Sequence, residues 1–175
     1  MACSAGYWLA AQCSEIIATP SGDVGSVGVY MCHTDYSTMN GRVGIRPTYI
    51  GVPKYKAEGN SDRPLSDETR RFLQSRVETV YDAFVADIVR GRGRGLTAET
   101  VRKTFGEGRI VNAQDALRRK MVDQVVPYPS VALAYASEFM KERRRQADLD
   151  YTRAVSTLVR QPDSAFTVAN AILTN

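Results

Sequence analysis

Apolar residues recur along this chain in two rhythms. Leu73, Val77, Val80, Tyr81, Phe84, Val85 and Ile88 follow steps of three and four, one face of a long helix. Ser66 stands before it as an N-cap, Asp67 and Glu68 suit its positive end, and Gly91 is expected to end it. Short apolar runs read instead as strands. They cover residues 15–18, 27–32, 48–50, 109–111 and 122–126. The run at 27–32 is nearly continuous, as in a strand covered on both faces. Residues 4–12 read as a helix of small and aromatic side chains, in which Gly6 suggests close approach of backbone or ligand. A short helix or turn is predicted at 35–42. Thr97 caps a helix reaching Phe105, and Asn112 caps one through Lys120, with Asp115 completing an imperfect capping box. Residues 53–64 have no periodicity and form a loop long enough to suspect function.

Helical spacing returns from Ser130. Val131, Tyr135, Phe139 and Met140 form one stripe, and Tyr151, Val155, Leu158 and Val159 a second. Phe166, Val168, Ile172 and Leu173 follow Pro162 as a third. The charged run at 141–145 separates the first two stripes, as a solvated hinge would. Strands alternating with helices predict an α/β domain over residues 1–127, and the tail predicts a helical extension over 130–175 that serves assembly or self-docking.

Composition narrows the function. A chain of 175 residues, 43% hydrophobic and 24% charged, builds a globular core. Its net charge of +4 is too small and scattered to demand a nucleic acid. Three cysteines without a CxxC spacing and a single histidine, His33, argue against a disulfide framework or a zinc site and favour a reducing, cytoplasmic setting. No cofactor or metal is implied. No apolar stretch of about 18 residues is present to span a membrane. The first twelve residues are apolar like a signal-peptide core but lack its basic start, so they read as a buried helix. A buried helix at the very beginning suggests a chain that starts in the middle of a domain.

Candidate chemistry is sparse. Ser4 opens a helix, where free N–H groups stabilise anions; its hydroxyl could attack a carbonyl while the Ala5 N–H holds the oxyanion, or it could simply cap the helix. His33, at a strand end, reads as structural rather than as a base. A lysine freed of its proton can take that role, and Lys54 and Lys56 in the loop are candidates, with a solvated surface role as the alternative for both. The run Arg90, Arg92 and Arg94, interleaved with glycines, could contact nucleic acid but is explained more simply as a complement to the negative end of the long helix.

The order of several motifs adds to this reading. Ser4-Ala5-Gly6-Tyr7-Trp8, residues 15–20, Gly25-Ser26-Val27-Gly28-Val29, Lys54-Tyr55-Lys56, Pro64-Leu65-Ser66, Gly91-Arg92-Gly93, Gly108-Arg109-Ile110-Val111, Gln114-Asp115-Ala116 and Met121-Val122-Asp123 resemble, in that order, the signal peptide peptidase A family of serine peptidases. The resemblance covers about residues 2–126, and residues 55–60 are most like the forms carried by tailed phages and prophages. It implies a Clp protease–crotonase type fold, a spiral of ββα units, of which this chain would hold the C-terminal part. It implies a Ser-Lys dyad with Ser4 as nucleophile and Lys56 as general base, an oxyanion contact from the Ala5 N–H, and Ser26 orienting the lysine. Position 5 is Ala where many cellular relatives have Gly. A polypeptide substrate, a homo-oligomer and phage head or scaffold proteins as partners are implied in turn. The family's first half, with its glycine-rich oxyanion loop, is absent from this sequence. A split product, an alternative or wrongly assigned start, or a truncated prophage gene is therefore expected, and a membrane association through the missing part is the alternative to a cytoplasmic setting. The rival function is a non-catalytic scaffolding or assembly protein derived from such a peptidase.

Overall fold

The computed structural model describes residues 1–93 and 95–160. Its elements run β1 (Ala2–Cys3), α1 (Ala5–Ala10), β2 (Ile17–Ala18), β3 (Asp23–Gly25), α2 (Ser37–Arg42), α3 (Asp67–Arg92), α4 (Ala98–Thr104), β4 (Ile110–Asn112), α5 (Ala113–Arg118), β5 (Gln124–Val125) and α6 (Pro129–Arg160). The class is α/β, as expected. The strands form two small sheets. In one, β3 pairs parallel with β1 and antiparallel with β4; in the other, β2 pairs parallel with β5. The chain divides into a unit of residues 1–125 and a second of 126–175.

The core of the first unit joins both ends of its sequence. Tyr7 from α1 and Ala11 at its C-cap, Phe84, Val85 and Ile88 from α3, Phe105, and Met121 and Val122 are buried together. The last turns of α3 supply the apolar contact, while Val80, farther toward the N-terminus on the expected stripe, is exposed. Three helix starts follow the sequence rules. Ser66, Thr97 and Asn112 are all extended, and each side chain accepts the N–H three residues on.

Other elements depart from expectation. Residues 27–32 form no strand. The strand lies earlier, at β3, and ends where Gly25 (φ 106°) and Ser26 (φ 50°) turn the chain away. Among the described residues, 27–34 make no backbone hydrogen bond. Val27 is buried, yet Tyr30 and Met31 are exposed, so an apolar run is here not a doubly covered strand. Residues 48–50 likewise form no strand, and Ile50 is exposed. That part of the chain is held by polar bonds instead: Asn40 Nδ2 donates to Asp62 (2.8 Å), Tyr49 OH to the same carboxylate, and the Tyr36 N–H to the Ser61 carbonyl (2.7 Å).

Gly91 does not end α3. The helix continues to Arg92 and Gly93 closes it. Gly91 serves packing: a Cβ there would lie 2.2 Å from the Ala11 carbonyl oxygen, so only glycine lets α1 and α3 touch. Arg92 is not a solvated complement to the helix end. It is buried, 2.6 Å from Asp123. Finally, residues 141–145 are no hinge. They lie inside one continuous helix, where Glu138–Lys141 (2.7 Å) and Glu142–Arg145 (2.9 Å) pair one turn apart. The third expected stripe, after Pro162, lies outside the described residues.

Candidate active site

Ser4 sits where β1 turns into α1. Its backbone is at φ 52°, ψ −125°, a region that L side chains enter only under strain of about 1–3 kcal/mol. Hydrogen bonds hold it there. The Ser4 N–H donates to the Gly25 carbonyl (2.8 Å), and the Ser4 carbonyl accepts from Tyr7 N–H (2.9 Å) and Trp8 N–H (3.0 Å). Aromatic contacts fix the helix behind it. Tyr7 OH donates to the Met121 carbonyl (2.9 Å), and Trp8 stacks on Phe84 at 4.4 Å while its Nε1–H reaches Asp87 (2.8 Å). Burial pushes the Tyr7 hydroxyl well above its ordinary range.

Unlike Ser66, Thr97 and Asn112, Ser4 does not cap its helix: its side chain makes no capping bond. The hydroxyl is solvent-exposed on a strained strand-to-helix turn, a geometry that presents a nucleophile. Ala5 and Gly6 beside it are exposed too, and their N–H groups donate to no described backbone acceptor, so they are available to an oxyanion. Nothing lies within 4 Å of a Cβ built at Gly6, so its own chain does not crowd that position.

The loop lysines differ. Lys54 Nζ donates to Tyr55 OH (2.9 Å), stands over the Tyr55 ring and lies 3.8 Å from Glu68. Those contacts raise its pKa, the Tyr55 bond first and Glu68 next, and hold it charged. Lys56 is exposed, and among the described residues its side chain has no hydrogen-bond or ion-pair partner.

Among the described residues, no hydrogen bond joins Ser4 to Lys56, and their neighbours are anchored at different points of α3. Tyr55 binds Glu68 in the first turn of α3, whereas Trp8 binds Asp87, nineteen residues farther along the same helix. At ~1.5 Å rise per residue those attachment points are about 28 Å apart. Ser26 is close to Ser4 through β3 but makes no bond to Lys56; its N–H donates to the Arg109 carbonyl (2.9 Å). The His33 ring lies 3.0 Å from the Asn60 carbonyl. A cavity of about 470 Å³ opens between residues 30–35 and the N-terminal half of α3, beside Arg70 and Leu73, and Ser4 does not line it.

Sequence reasoning missed the buried pair behind the site. Asp123 takes the Arg92 guanidinium on one oxygen and the Ile16 N–H on the other (2.7 Å), and its own N–H donates to the Ile16 carbonyl (2.8 Å). Arg92 and Asp123 thereby tie the end of α3 to the β2–β5 sheet. The signal was an aspartate directly after Met121 and Val122, and it lies too far from Arg92 in sequence to be paired by spacing.

With this geometry in place, comparison with known proteins identifies the lineage. Residues 1–140 match the model of peptidase family S49. The chain belongs to that family. It is 31% identical over 126 residues to the capsid assembly protease C of Escherichia phage lambda, covering 72% of this chain and 28% of that protein. It is 28% identical over 125 residues to the head-tail preconnector protein GP5 of Enterobacteria phage P21, covering 71% of this chain and 24% of the relative. Protease 4 of Salmonella typhi matches over 159 residues at 26% identity, 91% of this chain and 25% of that protein. The S49 chain thus spans only about a quarter of the length of these relatives. Among the described residues, no helix is long and apolar enough to cross a membrane.

Proposed function

We propose that this S49 chain contributes to a serine endopeptidase in which Ser4 is the nucleophile and Lys56 the general base. The observation that carries the reading is the strained, uncapped Ser4, held by its backbone so that its hydroxyl stands free beside the unpaired Ala5 N–H. In this reaction Ser4 Oγ attacks a peptide carbonyl as Lys56 Nζ takes the hydroxyl proton. The Ala5 N–H binds the oxyanion, the C–N bond breaks, and Lys56 returns the proton to the leaving amine. Water then attacks the acyl-Ser4 ester with Lys56 again as base, releasing the acid and restoring both groups.

The separation along α3 supports a dyad made between copies, with Lys56 of one chain reaching Ser4 of another. Such a base works only once assembly has stripped its water and made the neutral amine accessible. The complete protein, in this proposal, has the Clp protease–crotonase type spiral, and its substrates are polypeptides. The names of the two phage relatives favour a role in phage head assembly. A fluorophosphonate probe tests the reading. It should label the protein at Ser4; Ser4→Ala and Lys56→Met should each lose labelling, and mixing the two variants should restore part of it. Labelling that survives Ser4→Ala rejects the nucleophile. Labelling lost in Lys56→Met and not regained on mixing rejects the shared dyad while leaving a dyad within one chain.

A further inference from the structure

Helix α6 is exposed on nearly every side along its described side chains, with only Ala132 and Phe139 half-buried. On a seven-residue repeat, Leu133, Met140, Ala147 and Ala154 form one row, and Ser137, Arg144 and Tyr151 form the row beside it. Met140 is 67% exposed and Leu133 and Tyr151 are each 72% exposed.

This face is self-complementary. Turned antiparallel about a point between Arg145 and Gln146, it sets Met140 against Tyr151 of a second copy, Arg144 against Ala147 and Ser137 against Ala154. The flanking charges match as well. Lys141 meets Asp148 of the second copy, and Arg143 meets Asp150, so the two-fold gives each contact twice. A parallel pair would set Arg144 against Arg144 and leave Lys141 and Asp150 facing Ala136 and Val155. Among the described residues, the Arg143, Arg144 and Asp148 side chains have no partner in the single chain. Lys141 pairs with Glu138 (2.7 Å), and Asp150 accepts from Gln146 Nε2 (2.9 Å) and lies 3.9 Å from Arg153, all exposed contacts within the helix that exchange at little cost.

We propose that α6 is an interaction surface for a second copy of this chain, joined as an antiparallel helix pair centred between Arg145 and Gln146. The pairing does not depend on Ser4 chemistry, and it is read by mass rather than by labelling. Two charge-reversed full-length chains test it in sedimentation: K141E/R143E and D148K/D150K. Each alone places like charges across the two-fold and should sediment at a lower mass than the parent, with unchanged far-ultraviolet circular dichroism. An equimolar mixture restores every opposite-charge contact and should return to the parent mass. K141E alone should also lower the mass, because only the antiparallel arrangement gives Lys141 a charged partner on the second copy. Parent mass in both reversed chains, or a mixture that stays at the lower mass, overturns the proposal. A double variant that dissociates while K141E retains the parent mass overturns the antiparallel arrangement.

Discussion

At the scale of single residues, the strain at Ser4 is the feature most closely tied to activity. Glycine enters φ 52°, ψ −125° without a Cβ penalty, whereas Ala keeps the strain and loses only the hydroxyl. Ser4→Gly should therefore abolish probe labelling while raising stability by about 1 kcal/mol, and Ser4→Ala should abolish labelling with little change in stability. Paired denaturant titrations separate them; a Ser4→Gly chain no more stable than Ser4→Ala would show that the turn carries no strain. Tyr7 gives a pH signature. Its hydroxyl is buried and bonded to the Met121 carbonyl, and its folded pKa is raised above the ordinary value of 10.0. Raising the pKa of this acid favours the neutral folded form. The associated stability is present below about pH 10 and is lost as the pH rises beyond it. Thermal melts of the parent should fall more steeply above pH 10 than those of Tyr7→Phe. At neutral pH, Tyr7→Phe should cost about 1–3 kcal/mol because the buried Met121 carbonyl loses its donor.

At the scale of elements, the contact between α1 and α3 depends on the backbone of Gly91. Gly91→Ala places a Cβ 2.2 Å from the Ala11 carbonyl oxygen, an overlap that no rotamer relieves. A loss of about 3 kcal/mol or more is expected, well outside what alanine gains in helix propensity, which is at most ~1 kcal/mol. A Gly91→Ala chain as stable as the parent in urea would mean that the helices separate without cost. The buried Arg92–Asp123 pair makes the reverse point about charge. Arg92→Met leaves Asp123 buried without its counter-ion and should cost about 3–5 kcal/mol, whereas joint replacement of both by apolar residues should recover part of that loss. A double variant as unstable as Arg92→Met would locate the cost in the Asp123 contacts to Ile16 instead.

At the scale of the whole molecule, order is distributed unevenly. The buried cluster draws on α1, the second half of α3 and residues 101–122. Among the described residues, 27–34 make no backbone hydrogen bonds, and the chain from there to the start of α3 is held chiefly by polar side chains around Asp62. Hydrogen exchange should follow this division: the amides of residues 84–88 should be among the slowest, and those of 27–34 should exchange within the shortest labelling time. Slow exchange at 27–34 in the assembled protein, with fast exchange in a dissociated chain, would mark that segment as covered by another copy.

The sequence by itself determined what local chemistry can dictate. Helix starts at Ser66, Thr97 and Asn112 were legible because a cap needs only its own N–H three residues on. The family was legible because its motifs occur in fixed order from Ser4 to Asp123. The α/β class was legible from alternating rhythms. Tertiary structure decided what depends on partners distant in sequence. An apolar run at 27–32 becomes a strand only if another strand supplies its hydrogen bonds, and here Gly25 and Ser26 turn it away from β4. Gly91 reads as a helix stop because its packing against Ala11 is invisible to local pattern. Arg92 reads as a solvated end because its counter-ion lies 31 residues on. Ser4 and Lys56 could be named from motifs, but only the structure shows that their neighbours Trp8 and Tyr55 are anchored nineteen residues apart along α3. Spacing in sequence carries no distance once a rigid helix intervenes.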